Sequence, residues 1–353
     1  MSSRTDYTGK TVYVGIDVHK NSYSVVSICN GEVMKKDHMV ASPENLLCYL
    51  KNSFRNANIN AAYEAGFSGF HLHRYLMKNG ITNFVVHAAA IEIAARERVK
   101  TDKRDALKIS MQLASGRLRS IHIPGEEQEA NRMVTRLRST CMKNRNRYAS
   151  QLKALLFQYG LIEAHDSSVV SKKWIKKTLE IIRKGSYPSG FKYAIENYAE
   201  QWVTMTARVK EIDKQLIEQS RHESWLDDIY QSVPGIGPLS SRILANELGD
   251  MSQFSSEKKL FSFTGLTPGE YSSGDKKRLG SISRQGRPIL RKILVEAAWV
   301  AIKKDKRLEN IFGSIVKRAG AKRAIVGVAR RLIGCIRACV RKKEMYKLAA
   351  VVA

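Results

Sequence analysis

Two acids stand three residues apart in the stretch RVKTDKRDALKI: Asp102 and Asp105, set among basic side chains. On a helix, positions i and i+3 share a face, so the two carboxylates repel unless something positive lies between them. Neighbouring Lys and Arg can serve, and so can a divalent cation. In the second case further carboxylates must come from elsewhere in the chain. Two stand at the ends of apolar runs: Asp17 closes TVYVGIDV, and Glu64 lies at the end of INAAYEAG. Clustered carboxylates cannot all stay ionised unpaired, and a set made only of oxygen ligands favours Mg²⁺ (or Mn²⁺) over zinc. A metal held by Asp17, Glu64, Asp102 and Asp105 would polarise a phosphodiester. Taken singly, each acid reads more readily as one half of a surface salt bridge. Glu32, Asp37, Glu92 and Glu97 in the same third of the chain read as solvated.

A second place for chemistry is YSSGDKKRLG, where Ser272 and Ser273 sit in a Gly-bounded loop followed by Lys276, Lys277 and Arg278. Serines in such loops are mostly turn formers. With no histidine nearby to act as base, a hydrolase triad is not supported. A serine nucleophile here needs a base or metal brought from elsewhere. A third place is VPGIGPLSS, which matches the hairpin of a helix-hairpin-helix motif. Gly235 and Gly237 would let the backbone approach a phosphate, and the helix from Leu239 would offer free N–H groups. The alternative is an ordinary Gly-Pro loop.

The elements that must position these residues fall into three parts: 1–125, 126–228 and 229–353. In the first, TVYVGIDV and YSVVSIC are strands, and Asn30-Gly31 signals a two-residue hairpin to EVMKKDHMVA. Ser42-Pro43-Glu44 opens a helix. INAAYEAG is a strand, residues 68–78 form a helix ending at Asn79-Gly80, TNFVVHA is a strand, and a helix runs through Asp102 and Asp105 to Gly116. Three strands in a meander, then helix, strand, helix, strand, helix is the order of a ribonuclease H-like domain. In the second part, Val134, Leu137, Cys141, Tyr148, Leu152, Leu155 and Tyr159 recur near a heptad spacing. Trp202, Met205, Val209, Ile212 and Leu216 step by three and four. Long packed helices follow, either a coiled coil or an intramolecular hairpin. KGSYPSG breaks them. The third part ends in a basic helical stretch, 317–343, with ten Lys or Arg and no acid. The fold class expected is α/β plus α.

Composition bounds the partners. Sixty Lys and Arg against thirty-three Asp and Glu give the 353-residue chain a formal charge of +27. Such a field favours a polyanion, and nucleic acid is the first candidate. No run of about 18 apolar residues exists, so no membrane partner is expected. The opening MSSRTDYTGK lacks the apolar core of a secretory signal. Five scattered cysteines, odd in number and without C-x-x-C, read as reduced thiols. A cytoplasmic, nucleoid-associated protein is expected, and HLH at 71–73 is not read as a zinc site.

GIDVHK, YEAG, KTDKRDA, PGIGP, GLTPGEYSSG, GRPILRKILVEAAW and AIVGVARRL occur in that order over nearly the whole chain. In this the chain resembles the DEDD-type transposases of bacterial insertion sequences, the family that includes the Piv DNA invertase. The resemblance implies a RuvC-like N-terminal domain, a helical coiled-coil insert and a C-terminal transposase domain. It implies that Asp17, Glu64, Asp102 and Asp105 are the metal-binding tetrad and that Ser273 is the nucleophile. Members often carry an acid or Asn before that serine; here Ser272 stands there, which leaves Ser272 as the alternative. It further implies a structured bridge RNA that pairs with donor and target DNA. Four subunits would assemble, with the RuvC-like site of one completing the serine site of another. The chain is therefore expected to be a recombinase that cuts and rejoins double-stranded DNA. The rivals are a metal-dependent, junction-resolvase-like endonuclease that uses water, and a non-catalytic nucleic-acid-binding protein.

Overall fold

Residues 6–91, 102–220, 224–270 and 279–349 are described by a computed structural model. The chain divides into two compact units, Met1–Pro124 and Gly125–Ala353.

The first unit is built on β1 (Thr11–Val18), β2 (Ser22–Cys29) and β3 (Glu32–Val40), an antiparallel meander. Asn30 and Gly31 join β2 to β3 with φ of 53° and 84°. A two-residue turn with both φ values positive matches the twist of the strands it connects, which is why Asn-Gly signals it. Ser42 caps α1 (Pro43–Ser53), its hydroxyl accepting the Asn45 N–H at 3.1 Å. Then come β4 (Asn58–Glu64), α2 (His71–Lys78), β5 (Thr82–Val86) and α3 (Asp102–Ala114). The sheet order is β3-β2-β1-β4-β5, with β4 and β5 parallel to β1. This is the ribonuclease H-like arrangement. The second helix starts later than residue 68 because Gly69 takes a positive φ of 60°.

Strand alternation sorts β1 between two layers. Val12, Val14 and Ile16 are fully buried against α1 and α2, through Leu46, Leu50, Leu72 and Leu76. Tyr13 and the residues in step with it face the other side. There Ala62, Val86, Ile109 and Leu113 form a smaller core beneath α3. Each aliphatic side chain so buried stabilises the unit by about 1.5–3 kcal/mol.

The second unit holds α4 (Glu126–Gln158), α5 (Lys172–Lys184), α6 (Ser189–Ser220), α7 (Ser224–Gln231), α8 (Pro238–Leu248) and α9 (Glu257–Thr264). A short ribbon of β6 (Pro268–Glu270) and β7 (Leu279–Ile282) follows, then α10 (Pro288–Ala301), α11 (Lys306–Ala319) and α12 (Ala321–Lys342). Helices α4 and α6 pack on each other within the one chain. Cys141 joins Val209, Ile212 and Leu216 in the main core. Further along α4, Leu152 and Leu156 join Ile195, Ala199 and Trp202 of α6, with Ile175 and Ile182 of α5, in a separate core. The intramolecular hairpin therefore accounts for both apolar stripes. On α4 the periodicity misplaces two positions: Leu137 is 53% exposed and Tyr159 43%, whereas Arg132, Thr135 and Leu156 are buried. The cause is a polar interface. Arg132 donates to the carbonyls of Asn246 (3.1 Å) and Glu247 (2.9 Å), and the Asn246 amide donates to Thr135 Oγ1 at 3.2 Å.

Helix α12 runs through the main core, burying Ile325, Val328, Leu332, Ile333 and Ile336. Its basic residues are not all solvated. Arg337 is buried and donates to Phe254 O at 2.7 Å, and Arg330 lies over the Phe261 ring.

Candidate active site

Asp17 and Glu64 come together through strand register. Ile16 pairs with Tyr63 in the parallel β1–β4 ladder, so Asp17 and Glu64 occupy the next positions, at the C-terminal ends of neighbouring strands. Residues in step along a strand share a face. Asp17 is in step with Gly15 and Glu64 with Ala62, and both of those face α3.

Helix α3 brings the third carboxylate to the same edge. A Cβ on Gly15 would lie 2.0 Å from Ala106 O and 2.5 Å from Ser110 N, so α3 crosses β1 with backbone nearly touching backbone. The far end of α3, Met111 to Ser115, borders Thr11 and Tyr13 at the start of β1. The helix therefore runs antiparallel to β1, and its first turn, with Asp102 and Asp105, lies toward the Asp17 end. The backbone of Asp102 begins α3; its side chain, together with Glu92 and Glu97, lies outside the described residues.

The carboxylates have partners. His19 Nε2 is 3.1 Å from Asp17 Oδ2, and Lys108 Nζ is 3.2 Å from Asp105 Oδ1. The salt bridge that the spacing of Asp102 and Asp105 suggests is thus present at Asp105. Among the described residues, no three His, Cys, Asp or Glu side chains are gathered closely enough to hold a metal ion. The carboxylate oxygens at this edge are donors that suit Mg²⁺ or Mn²⁺; the His19 imidazole is not a usual ligand of Mg²⁺. His19 was not singled out from the sequence. Its signal was the Asp-x-His spacing at a strand end, which puts both side chains on one face. Asp37, read as solvated, in fact accepts the Tyr49 hydroxyl at 2.5 Å. Burial, then the Asp37 carboxylate, push the Tyr49 phenol upward from its ordinary pKa.

In the second unit, α7 and α8 are joined by the VPGIGP hairpin. Gly235 has φ 86°, and a Cβ there would lie 2.8 Å from Ala297 Cα and from Val300 Cβ. Its missing side chain serves the approach of α10. Gly237 has open space at its Cβ position and caps α8, where no side chain bonds the first-turn N–H groups. A buried ion pair fastens the two helices: Arg242 Nη1 is 3.0 Å from Asp227 Oδ2, each side chain 2% exposed. Ser241 Oγ donates to Asp227 Oδ1 at 2.8 Å. This cluster, unread in the sequence, is structural.

Ser272, Ser273, Lys276, Lys277 and Arg278 lie outside the described residues. What flanks them is held tightly. Arg291 Nη1 donates to Thr264 O (3.1 Å) and Gly286 O (2.6 Å), and a Cβ on Gly286 would lie 2.0 Å from Phe263 O. The ribbon of β6 and β7 rises from this clasp.

A RuvC-like strand order with acids at neighbouring strand ends, followed by a mainly helical unit, is the architecture of a DEDD-type domain with a helical C-terminal region. Two family models match: a DEDD-type one described as "Transposase" over residues 14–161, and "Transposase IS116/IS110/IS902 family" over 227–312. The chain is a transposase of the IS110/IS116 family. Similar proteins include the candidate transposase y4qE of Sinorhizobium fredii, 26% identical over 319 residues (87% of this chain, 77% of the relative). The transposase for insertion sequence element IS1533 of Leptospira borgpetersenii is 24% identical over 337 residues (91% and 93%). The transposase for insertion sequence element IS1111A of Coxiella burnetii is 23% identical over 287 residues (79% and 77%). No helix among the described residues is long and apolar enough to cross a membrane.

Proposed function

We propose that the chain is a serine recombinase of the DEDD type, acting on double-stranded donor and target DNA. The observation that carries the reading is the sheet edge where Asp17 and Glu64 end neighbouring parallel strands beneath the first turn of α3. Asp17, Glu64, Asp102 and Asp105 form the metal-binding tetrad. A Mg²⁺ or Mn²⁺ ion bound there supplies Lewis acidity to the scissile phosphate. Lys108 and His19 pair with the carboxylates of Asp105 and Asp17.

Ser273 is the nucleophile, with Ser272 the alternative. Its Oγ forms an ester to phosphorus while the sugar hydroxyl leaves, and the reverse attack by another strand's hydroxyl rejoins the DNA. A serine hydroxyl needs activation at neutral pH. The acids of a second subunit in a tetramer supply it, so the site is shared. Lys276, Lys277 and Arg278 neutralise phosphates beside the serine, and the hairpin at Gly235 and Gly237 contacts DNA backbone as a helix-hairpin-helix. A bridge RNA pairs with donor and target. The invertase-like branch and the division into a RuvC-like domain (1–125), a helical insert (126–228) and a transposase domain (229–353) belong to the same reading.

The test is to trap a covalent protein–DNA adduct. The wild-type protein should form a phosphoserine link that Ser273→Ala abolishes and Ser272→Ala retains. An adduct lost only in Ser272→Ala moves the nucleophile by one residue. Cleavage by Ser273→Ala without an adduct leaves the water-dependent endonuclease as the account.

A further inference from the structure

The separate core at the distal part of the α4–α6 pair carries a groove of about 620 Å³. One wall is α4, with Arg145, Asn146, Ser150 and Lys153. The other is α6, with Trp202, Thr206 and Lys210. The segment 168–172 also lines it. Four cations line it and no acid does. Lys172 and Lys210 are exposed, and among the described residues neither is paired with an acid. Lys153 shapes the rim, donating to the carbonyls of Asp166 (2.8 Å) and Ser168 (2.5 Å), with the Asp166 carboxylate 3.8 Å away. The floor is apolar, formed by Trp202, Ala149 and Val170, and Val169 stands 81% exposed at the edge.

This combination differs from a solvated charged face. Lysines on such a face are spread over a convex surface, whereas these border one concavity whose lining includes Trp202, Ala149 and Val170. Concentrated like charge costs energy unless an anion answers it. Ser150, Ser171 and Asn146 line the same groove and bring hydroxyl and amide groups that could meet a sugar's oxygens. A concavity of about 620 Å³ is too small to admit a duplex, whereas a short length of single strand fits it.

We propose that this groove seats the sugar–phosphate backbone of a single nucleic-acid strand. It shares no residue with the carboxylate edge or the serine loop, and it needs neither for its test. The full-length protein is titrated with single-stranded RNA, single-stranded DNA of the same sequence and the corresponding duplex over a salt series. Lys172→Ala/Lys210→Ala is compared with Lys143→Ala/Lys214→Ala, a charge-matched pair of exposed lysines that do not line the groove. The groove pair should weaken single-strand binding roughly 5–10-fold and lower the salt slope by about 1.4, near 0.7 per lost phosphate contact. The control pair and duplex binding should change far less. Arg145→Gln should act in the same direction from the α4 wall. Equal losses for RNA and DNA mean backbone recognition alone; a larger loss for RNA adds the 2′-hydroxyl. The proposal fails if the control pair loses as much, if duplex binding falls as far as single-strand binding, or if the groove pair binds as wild type.

Discussion

Asp105 decides between two readings of one local pattern, because its partner Lys108 is visible at 3.2 Å. If that pair matters only for structure, a half-buried i,i+3 salt bridge on a helix is worth about 0.3–1 kcal/mol. Asp105→Asn and Lys108→Ala should then be equally mild. If Asp105 holds metal, the two variants separate. Asp105→Asn should abolish strand cleavage in Mg²⁺ while keeping nucleic-acid binding, and Lys108→Ala should cleave. Cleavage by Asp105→Asn at the wild-type rate returns the residue to the surface. A different carboxylate answers to pH. Burial pushes Asp305 upward, but hydrogen bonds from Arg307 and the Tyr346 hydroxyl outweigh it and leave the group below its ordinary 3.8. A lowered carboxylate stabilises the fold above its unfolded pKa, and that contribution is lost as pH falls through the folded value. Denaturant titrations of the full chain from about pH 6 down to 2 should show stability declining below about pH 4. Asp305→Asn should flatten that part of the profile; an unchanged slope would place the acid sensitivity elsewhere.

Helix α3 works only because β1 has no side chain where the two cross. The Cβ of Gly15→Ala would meet backbone atoms of Ala106 and Ser110 at 2.0 and 2.5 Å, and backbone cannot rotate away as a side chain can. The substitution should cost about 3 kcal/mol or more, measured by equilibrium unfolding. It should also depress cleavage at temperatures where the chain stays folded, because α3 carries Asp102 and Asp105. Gly31→Ala is a useful contrast: open space surrounds its Cβ, and its penalty comes from φ 84° alone. The sheet and the carboxylate edge were legible in the sequence because strand ends, the Asn-Gly turn and the Ser-Pro cap are local signals. The crossing at Gly15 was not, since nothing local tells a packing glycine from a turn glycine. The same limit hid Gly235, where α10 approaches from more than sixty residues away in sequence. It also hid the Arg132 contacts to α8, which turn α4 off the phase its apolar residues suggest. A buried arginine looks polar to periodicity, and only its distant carbonyl partners explain it.

At the scale of the whole molecule, acids and serine belong to different compact units of the chain, Met1–Pro124 and Gly125–Ala353. In the proposed reading the serine's activation comes from the carboxylates of a first unit, either of the same chain or of another. Mixing separates the two. Ser273→Ala subunits keep the carboxylates and lack the nucleophile, whereas Asp17→Asn subunits keep the nucleophile and lack one metal ligand. If each site is completed between subunits, mixed oligomers contain some sites in which an intact first unit meets an intact serine. Such mixtures should recover part of the recombination and adduct formation that each variant lacks alone. With random mixing, recovery should peak near equal proportions of the two variants and fall away on either side. If both parts come from one chain, every site in the mixture carries one of the two lesions and activity stays absent at all ratios. Native mass spectrometry of the mixtures must show both variants in one oligomer, so that a dead mixture reports on the site and not on failure to exchange subunits. Recovery would assign the serine's activation to a neighbouring subunit; its absence in proven mixed oligomers would assign it to the same chain.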